Sequence, residues 1–359
     1  MKLHEKVTIV LFCGFLFLMG ILYWILPQTD FSVAEKRYLQ KAPVAGWKNI
    51  SSGQWGEDAE SWMADHIPGR DFFVGLNAYF ELVTGRQDTK DIRLRQGRLL
   101  EAPAVVNEAA VERNLKAIHG FSETIGRPVN LMIVPSAGWA AGEQGYQDDI
   151  IISDIYAGAD GVEAVDVRDV FRGRPELYYA TDHHWTSAGA HAGYRAYMAY
   201  LNREYRSADD FTVETVSGFQ GSTYSRSALW LTPGEPLELW QGSEDITVTN
   251  AESKEVHSGV FYRERLDEAD KYTVFLDGNH SLVRIQNPNA HGKLLVIRDS
   301  YSNALGCFLA ESYGEVVLVD LRYYREQVSK LVLEEEFDHV LVCYSIGNFL
   351  TDTNIVWLR

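Results

Sequence analysis

The sequence predicts an α/β fold: a mainly parallel sheet flanked by helices, carrying a β-rich insertion and preceded by an N-terminal transmembrane helix. Three observations predict it. Near-continuous apolar, β-branched runs at residues 129–134, 294–297, 316–319 and 340–343 are separated by stretches of helical composition. Strands apolar on both faces belong to a covered, mainly parallel sheet. Residues 211–287 break that alternation with short period-2 runs, at 246–249 and 272–276, divided by glycines and charges, which reads as a β-rich insertion. Residues 7–26 form a run of 20 without a formal charge, long enough to cross a bilayer.

In chain order, Lys2 and Lys6 precede the apolar run and Asp30 follows it, so the positive-inside rule places the N-terminus in the cytoplasm and the remainder outside. A cleaved signal peptide is the alternative. The length of the run and the lack of a small-residue cleavage site around Pro27-Gln28-Thr29 oppose it. The expected division is a signal anchor at 1–27, a linker and helical region at 28–104, and the α/β domain at 105–359 with its insertion at about 211–287. Within the last, 106–125 has the spacing of a helix and 129–134 and 162–167 those of strands, followed by a helix over 187–203. After the 294–297 strand, 302–313 again has the composition of a helix.

Composition excludes some function classes. The chain has 359 residues, 46% hydrophobic and 12% aromatic, enough for a sizeable core. A net charge of −17 without a clustered Lys/Arg run argues against a nucleic-acid partner. Three cysteines, one of them (Cys13) inside the apolar run, make no disulfide framework; whether Cys307 and Cys343 pair is open.

The chemistry concentrates in Asp182-His183-His184-Trp185 and, much later, Asp299-Ser300. In an extended segment alternate residues share a face, so Asp182 and His184 would reach one site while His183 points away. A carboxylate beside an imidazole fixes its tautomer and stabilises the imidazolium, which makes His184 a general base. Ser300 supplies a hydroxyl for it to activate, at a strand-to-helix turn on the carboxyl edge of the sheet and close to a helix N-terminus that favours developing negative charge. The plainer readings are that Asp299-Ser300 is an N-cap, that the histidines are core residues, and that Asp182 helps cap the helix starting near Ser187.

Other residues compete for roles. Ser136, after the 129–134 strand, is a second candidate nucleophile, though a turn serine is the simpler reading. Gly278 and Asn279 carry the donor types of an oxyanion hole, as does Gly221, yet Gly-Asn is also ordinary turn chemistry. Asp182, His183, His184 and His191 could contribute metal ligands, but their spacing matches no zinc pattern. No metal or other cofactor is therefore expected.

The run from Tyr179 to Gly189, with Asp182-His183-His184-Trp185 inside it, resembles the motif of the DHHW proteins. These resemble in turn the SGNH-hydrolase-like domain of the alginate O-acetyltransferases. Residues 31–37, 65–71, 221–228, 277–280 and 298–302 extend the similarity. The resemblance implies an SGNH-hydrolase-like fold with Ser300 as nucleophile, His184 as base and Asp182 as its orienting partner. Arg298 stands where SGNH nucleophile blocks carry glycine, and the Asp-x-His element precedes the serine, the reverse of the usual order. It implies O-acetyl transfer or deacetylation on a cell-surface polysaccharide, with a polytopic membrane acyltransferase as a possible acetyl supplier. A non-catalytic carbohydrate-binding or assembly protein is the competing class.

Overall fold

The computed structural model describes residues 2–358. It divides into two compact units: residues up to Lys90 with Tyr224–Leu231, and Asp91–Thr223 with Thr232–Arg359.

The first unit begins with the helix Leu3–Ile25, none of whose 23 residues is buried. At 1.5 Å per residue it is about 35 Å long, enough for the hydrocarbon core of a bilayer. The helices Gln54–Asp65 and Arg70–Val83 follow. Arg37 grips both carboxylate oxygens of Asp65, at 2.9 and 2.5 Å. Glu35 pairs with Arg70 at 2.9 Å, so ion pairs pin the segment that leaves the apolar helix.

The second unit is built on an eight-stranded sheet. Glu315–Val319, Lys293–Arg298, His339–Ser345, Val129–Val134 and Val162–Ala164 lie side by side in that order, all parallel. Leu282–Gln286, Thr247–Asn250 and Val256–Ser258 extend the sheet antiparallel beyond Glu315–Val319, so the insertion widens the parallel core. A separate antiparallel pair, Thr212–Phe219 with Glu235–Gln241, completes it. Apart from the edge strand Val162–Ala164, the parallel strands are buried on both faces, with an apolar cluster on each side. The chain leaves the central strand Lys293–Arg298 for a neighbour on one side, then returns to the strand on the other. Ser300 therefore sits at a topological switch point, where open α/β sheets leave a crevice.

Residues 272–276 depart from expectation. They form no strand but a 3₁₀ turn, Lys271–Val274, which the Thr273 hydroxyl closes onto the Asp270 carbonyl at 2.6 Å. Tyr272, Val274, Phe275 and Leu276 are all buried, so their apolar character reflects burial on every side rather than alternation.

Candidate active site

Ser300 follows the strand Lys293–Arg298 and begins the helix Tyr301–Leu309. Its backbone is already helical (φ −67°, ψ −18°) and its hydroxyl does not cap the helix. Asp299 does that work: its Oδ1 accepts the Tyr301 N–H at 3.0 Å. Asp299 Oδ2 accepts three further bonds, from the Ser345 N–H, the Ser345 hydroxyl and the Asn348 amide, each at 2.8 Å. A buried carboxylate so fully satisfied ties the serine turn to the end of the neighbouring strand His339–Ser345.

The Asp-His-His-Trp segment is held from three sides. Upstream, Glu235 accepts the N–H groups of Ala180 and Thr181 at 2.8 and 2.6 Å. Downstream, Thr186 caps the helix Ser187–Tyr200 by accepting the Gly189 N–H, so that duty does not fall to Asp182. In the middle, Trp185 is fully buried and donates from Nε1 to the Tyr301 carbonyl at 3.0 Å, while the Tyr301 hydroxyl donates to the His183 carbonyl. This reciprocal pair fastens the two motifs together. A Cβ on Gly189 would lie 2.1 Å from the Leu177 carbonyl oxygen and one on Gly193 2.9 Å from the indole, so glycines at these positions make room for Trp185.

The geometry at the centre is that of a relay. His184 Nε2 lies 2.8 Å from Ser300 Oγ, and Nδ1 lies 2.5 Å from Asp182 Oδ1, which also accepts the His184 N–H at 2.8 Å. Asp182 Oδ2 accepts the Ser222 N–H at 2.5 Å. Asp182 and His184 are 2% and 5% exposed and Ser300 is 9% exposed, so all three residues are buried. Burial alone would push the Asp182 carboxyl up. The charges of His184 and His183, with the hydrogen bonds from His184 and the Ser222 N–H, overcome it and hold that carboxyl well below its usual value.

His183 differs from the alternation argument. The segment is not extended at these residues but turns, because Asp182 Oδ1 captures the backbone two residues on. The His183 ring therefore lies 3.8 Å from that of His184, centroid to centroid, with its Nδ1 2.5 Å from the Ser222 hydroxyl. Burial, and then the His184 charge, push the His183 imidazole down, toward its neutral form.

The expected oxyanion donors separate. Gly278 has φ +79° and its N–H closes a turn onto the Phe275 carbonyl at 3.1 Å, so that donor is engaged. The Gly221 N–H goes to the Thr181 hydroxyl at 3.3 Å. Gly221 serves instead by having no side chain: a Cβ there would lie 2.1 Å from Asp182 Oδ2. Asn279 accepts at Oδ1 from Arg298 Nη1 (3.2 Å) and Asn303 Nδ2 (3.1 Å), which fixes the carbonyl end of its amide. Arg298 is fully buried, and its Nη1 also donates to Asn303 Oδ1 at 2.5 Å, so it holds together Asn279 and Asn303, the second of them three residues after the serine.

Ser136 is an N-cap, its Oγ accepting the Trp139 N–H. The ligand atoms of Asp182, His183 and His184 lie within 4.8 Å of one another, near enough to share an ion. Both His184 nitrogens, however, already face Asp182 and Ser300, and His183 Nδ1 faces Ser222. His191 Nε2 pairs instead with the Arg206 carbonyl at 2.9 Å. Cys307 and Cys343 are free, buried thiols whose burial pushes them well up.

Sequence reasoning missed Tyr272, Ser222, Glu235 and Asn303. Nothing local marks the first three, since each reaches the site from a distant segment. Asn303, three residues after Ser300 at the start of a helix, was the one within reach.

Residues 159–319 match the family model described as DHHW protein. Among solved structures, a DHHW family protein from Eubacterium siraeum aligns over 75% of this chain and 95% of its own, at 22% identity and TM-score 0.66. PatB1 of Bacillus cereus, solved with a sulfonyl adduct, aligns over 75% of this chain and 98% of its own, at 20% identity and TM-score 0.62. At such identities the likeness speaks for the DHHW-type fold. No curated protein matches.

Proposed function

We propose that this chain performs acyl-ester chemistry, O-acetyl transfer or deacetylation, on a cell-surface polysaccharide, with Ser300 as nucleophile, His184 as general base and Asp182 as its orienting partner. The observation that carries the proposal is the unbroken contact from Asp182 Oδ1 through both nitrogens of His184 to Ser300 Oγ. His184 Nε2 takes the hydroxyl proton as Oγ attacks the acyl carbonyl, and the same nitrogen returns that proton to the departing alcohol. Asp182 accepts the Nδ1–H throughout and stabilises the imidazolium. In the second half, a sugar hydroxyl or water loses its proton to His184 and attacks the acyl-enzyme. The tetrahedral oxyanion lies at the N-terminus of the helix Tyr301–Leu309, and the Asn279 amide is the side-chain donor assigned to it.

In this reading the helix Leu3–Ile25 anchors the chain, N-terminus inside, and holds the remainder outside the cytoplasm. The sequence resemblance supports the polysaccharide substrate and an acetyl supply from a polytopic membrane acyltransferase. The test supplies purified protein with an acetylated and a non-acetylated surface polysaccharide plus an activated acetyl ester, and follows acetate and polymer-bound acetyl by NMR. Ser300-dependent gain or loss of polymer acetyl supports the reading. Binding of the polymer with no Ser300-dependent turnover would move the chain to the class of carbohydrate-binding proteins. Protease added to intact cells tests the topology: the domain after residue 30 should be degraded, and a protected domain contradicts it.

A further inference from the structure

His184 is held by more than its two hydrogen bonds. The Tyr272 ring lies parallel to it, with 3.9 Å between centroids and 9° between planes. His183 lies 3.8 Å away at 37°. Two rings cannot share one face of an imidazole at that spacing, so His184 is sandwiched between them. Tyr272 is itself packed edge-on against Tyr179 (6.4 Å, 88°) and against the tilted ring of Phe275 (5.2 Å, 59°). Its hydroxyl is buried with no hydrogen-bond partner among the described residues. A buried tyrosine usually pairs its O–H, so a ring kept here without that bond is kept for its face.

We infer that Tyr272 is a positioning residue: its π-face fixes the plane of the His184 imidazole and favours the imidazolium that forms each time Nε2 takes a proton. Two hydrogen bonds through opposite ring nitrogens define an axis, about which the ring can still roll; a stacked face removes that freedom. A cation is drawn to an aromatic face, and most strongly where water is excluded. The 3₁₀ turn Lys271–Val274 thus carries a working part of the site, and the β-rich insertion contributes to the relay.

The inference rests on the proposed nucleophilic role of Ser300, and the test separates the two. Full-length protein is treated with an aryl sulfonyl fluoride, and the second-order rate of Ser300 sulfonylation is measured per folded molecule. No labelling of wild type defeats the nucleophile reading itself. With wild type labelled, Tyr272→Phe should react within about twofold of it, because removing an unpaired buried hydroxyl costs little. Tyr272→Met keeps a flexible apolar side chain of somewhat smaller volume without the face and should react about 10²-fold more slowly, the scale of a misaligned catalytic group. Val283→Ala, a cavity at a buried position of the strand Leu282–Gln286 away from that turn, should lower the melting temperature and leave the rate per folded molecule unchanged. A folded Tyr272→Met labelled at the wild-type rate overturns the inference, as does an equal loss in Tyr272→Phe. Failure of Tyr272→Met to fold while Tyr272→Phe folds overturns it too, since the ring would then be a packing element.

Discussion

Two of the strand–serine–helix junctions on the eight-stranded sheet, those at Ser136 and Ser300, put their hydroxyls to different uses. Ser136 follows Val129–Val134 in an extended conformation (φ −76°, ψ 154°), and its Oγ accepts the Trp139 N–H at 3.3 Å. Its own N–H donates to Asp148 Oδ2 at 2.6 Å. Ser300 follows Lys293–Arg298 with a helical backbone, its cap is supplied by the preceding Asp299, and its Oγ is left for an imidazole 116 residues away in sequence. The local motif is the same. What distinguishes them is which residue caps the helix: at Ser300 a carboxylate one residue earlier does so, and the serine hydroxyl has no part in the cap. An N-cap serine and a candidate nucleophile are thus told apart by the backbone conformation of one residue and by what arrives from elsewhere in the chain.

Breaking the comparison at Ser300 should give the largest effect. Ser300→Ala should lower turnover by on the order of 10³ or more with an unchanged melting temperature, and adding His184→Ala should cost little further, because the residues act as a unit. Kinetics with an activated acetyl ester check both. Asp182→Ala should retain about 10²-fold more activity than Ser300→Ala, since it orients and stabilises rather than reacts.

Asp299→Asn tests the cap that frees Ser300. It replaces a buried carboxylate that accepts four hydrogen bonds with a group that cannot accept them all, and should cost about 3 kcal/mol by denaturant unfolding. Ser136→Ala should cost about 1 kcal/mol and leave turnover alone, as expected for a cap. Equal losses of activity at Ser136 and Ser300 would erase the distinction.

A pH effect sharpens it further. The Asp182 carboxyl is held well below its ordinary value, so its stabilisation is complete above the unfolded value of about 3.9 and is lost only as pH falls through the lower folded value. The melting-temperature gap between wild type and Asp182→Asn should therefore persist near pH 4 and close only in stronger acid. Closure at pH 5 to 6 would contradict that assignment.

The sequence carried the sheet legibly where burial is two-sided, because continuous β-branched runs such as Leu294–Ile297 have few other uses. It carried the pairing of Asp182, His184 and Ser300 through their types and the strand-to-helix setting of the serine. It misled at 272–276, where burial on all sides imitates a strand, and at His183, where a side-chain-to-backbone bond turns a segment that alternation treats as extended. It was silent on Glu235, Ser222 and Tyr272, because contacts between distant segments leave no local periodicity. Gly221 was visible as a glycine but not as the gap that admits Asp182.

The central claim is that Ser300 is a nucleophile activated by His184, and covalent labelling tests it most directly. Intact-mass and peptide mapping of protein treated with an aryl sulfonyl fluoride should show one adduct per chain, on the peptide containing Ser300. It should be absent from Ser300→Ala, strongly slowed in His184→Ala, and present at the wild-type rate in Ser136→Ala. No adduct on a folded wild-type chain, or an adduct that survives Ser300→Ala, would contradict the account.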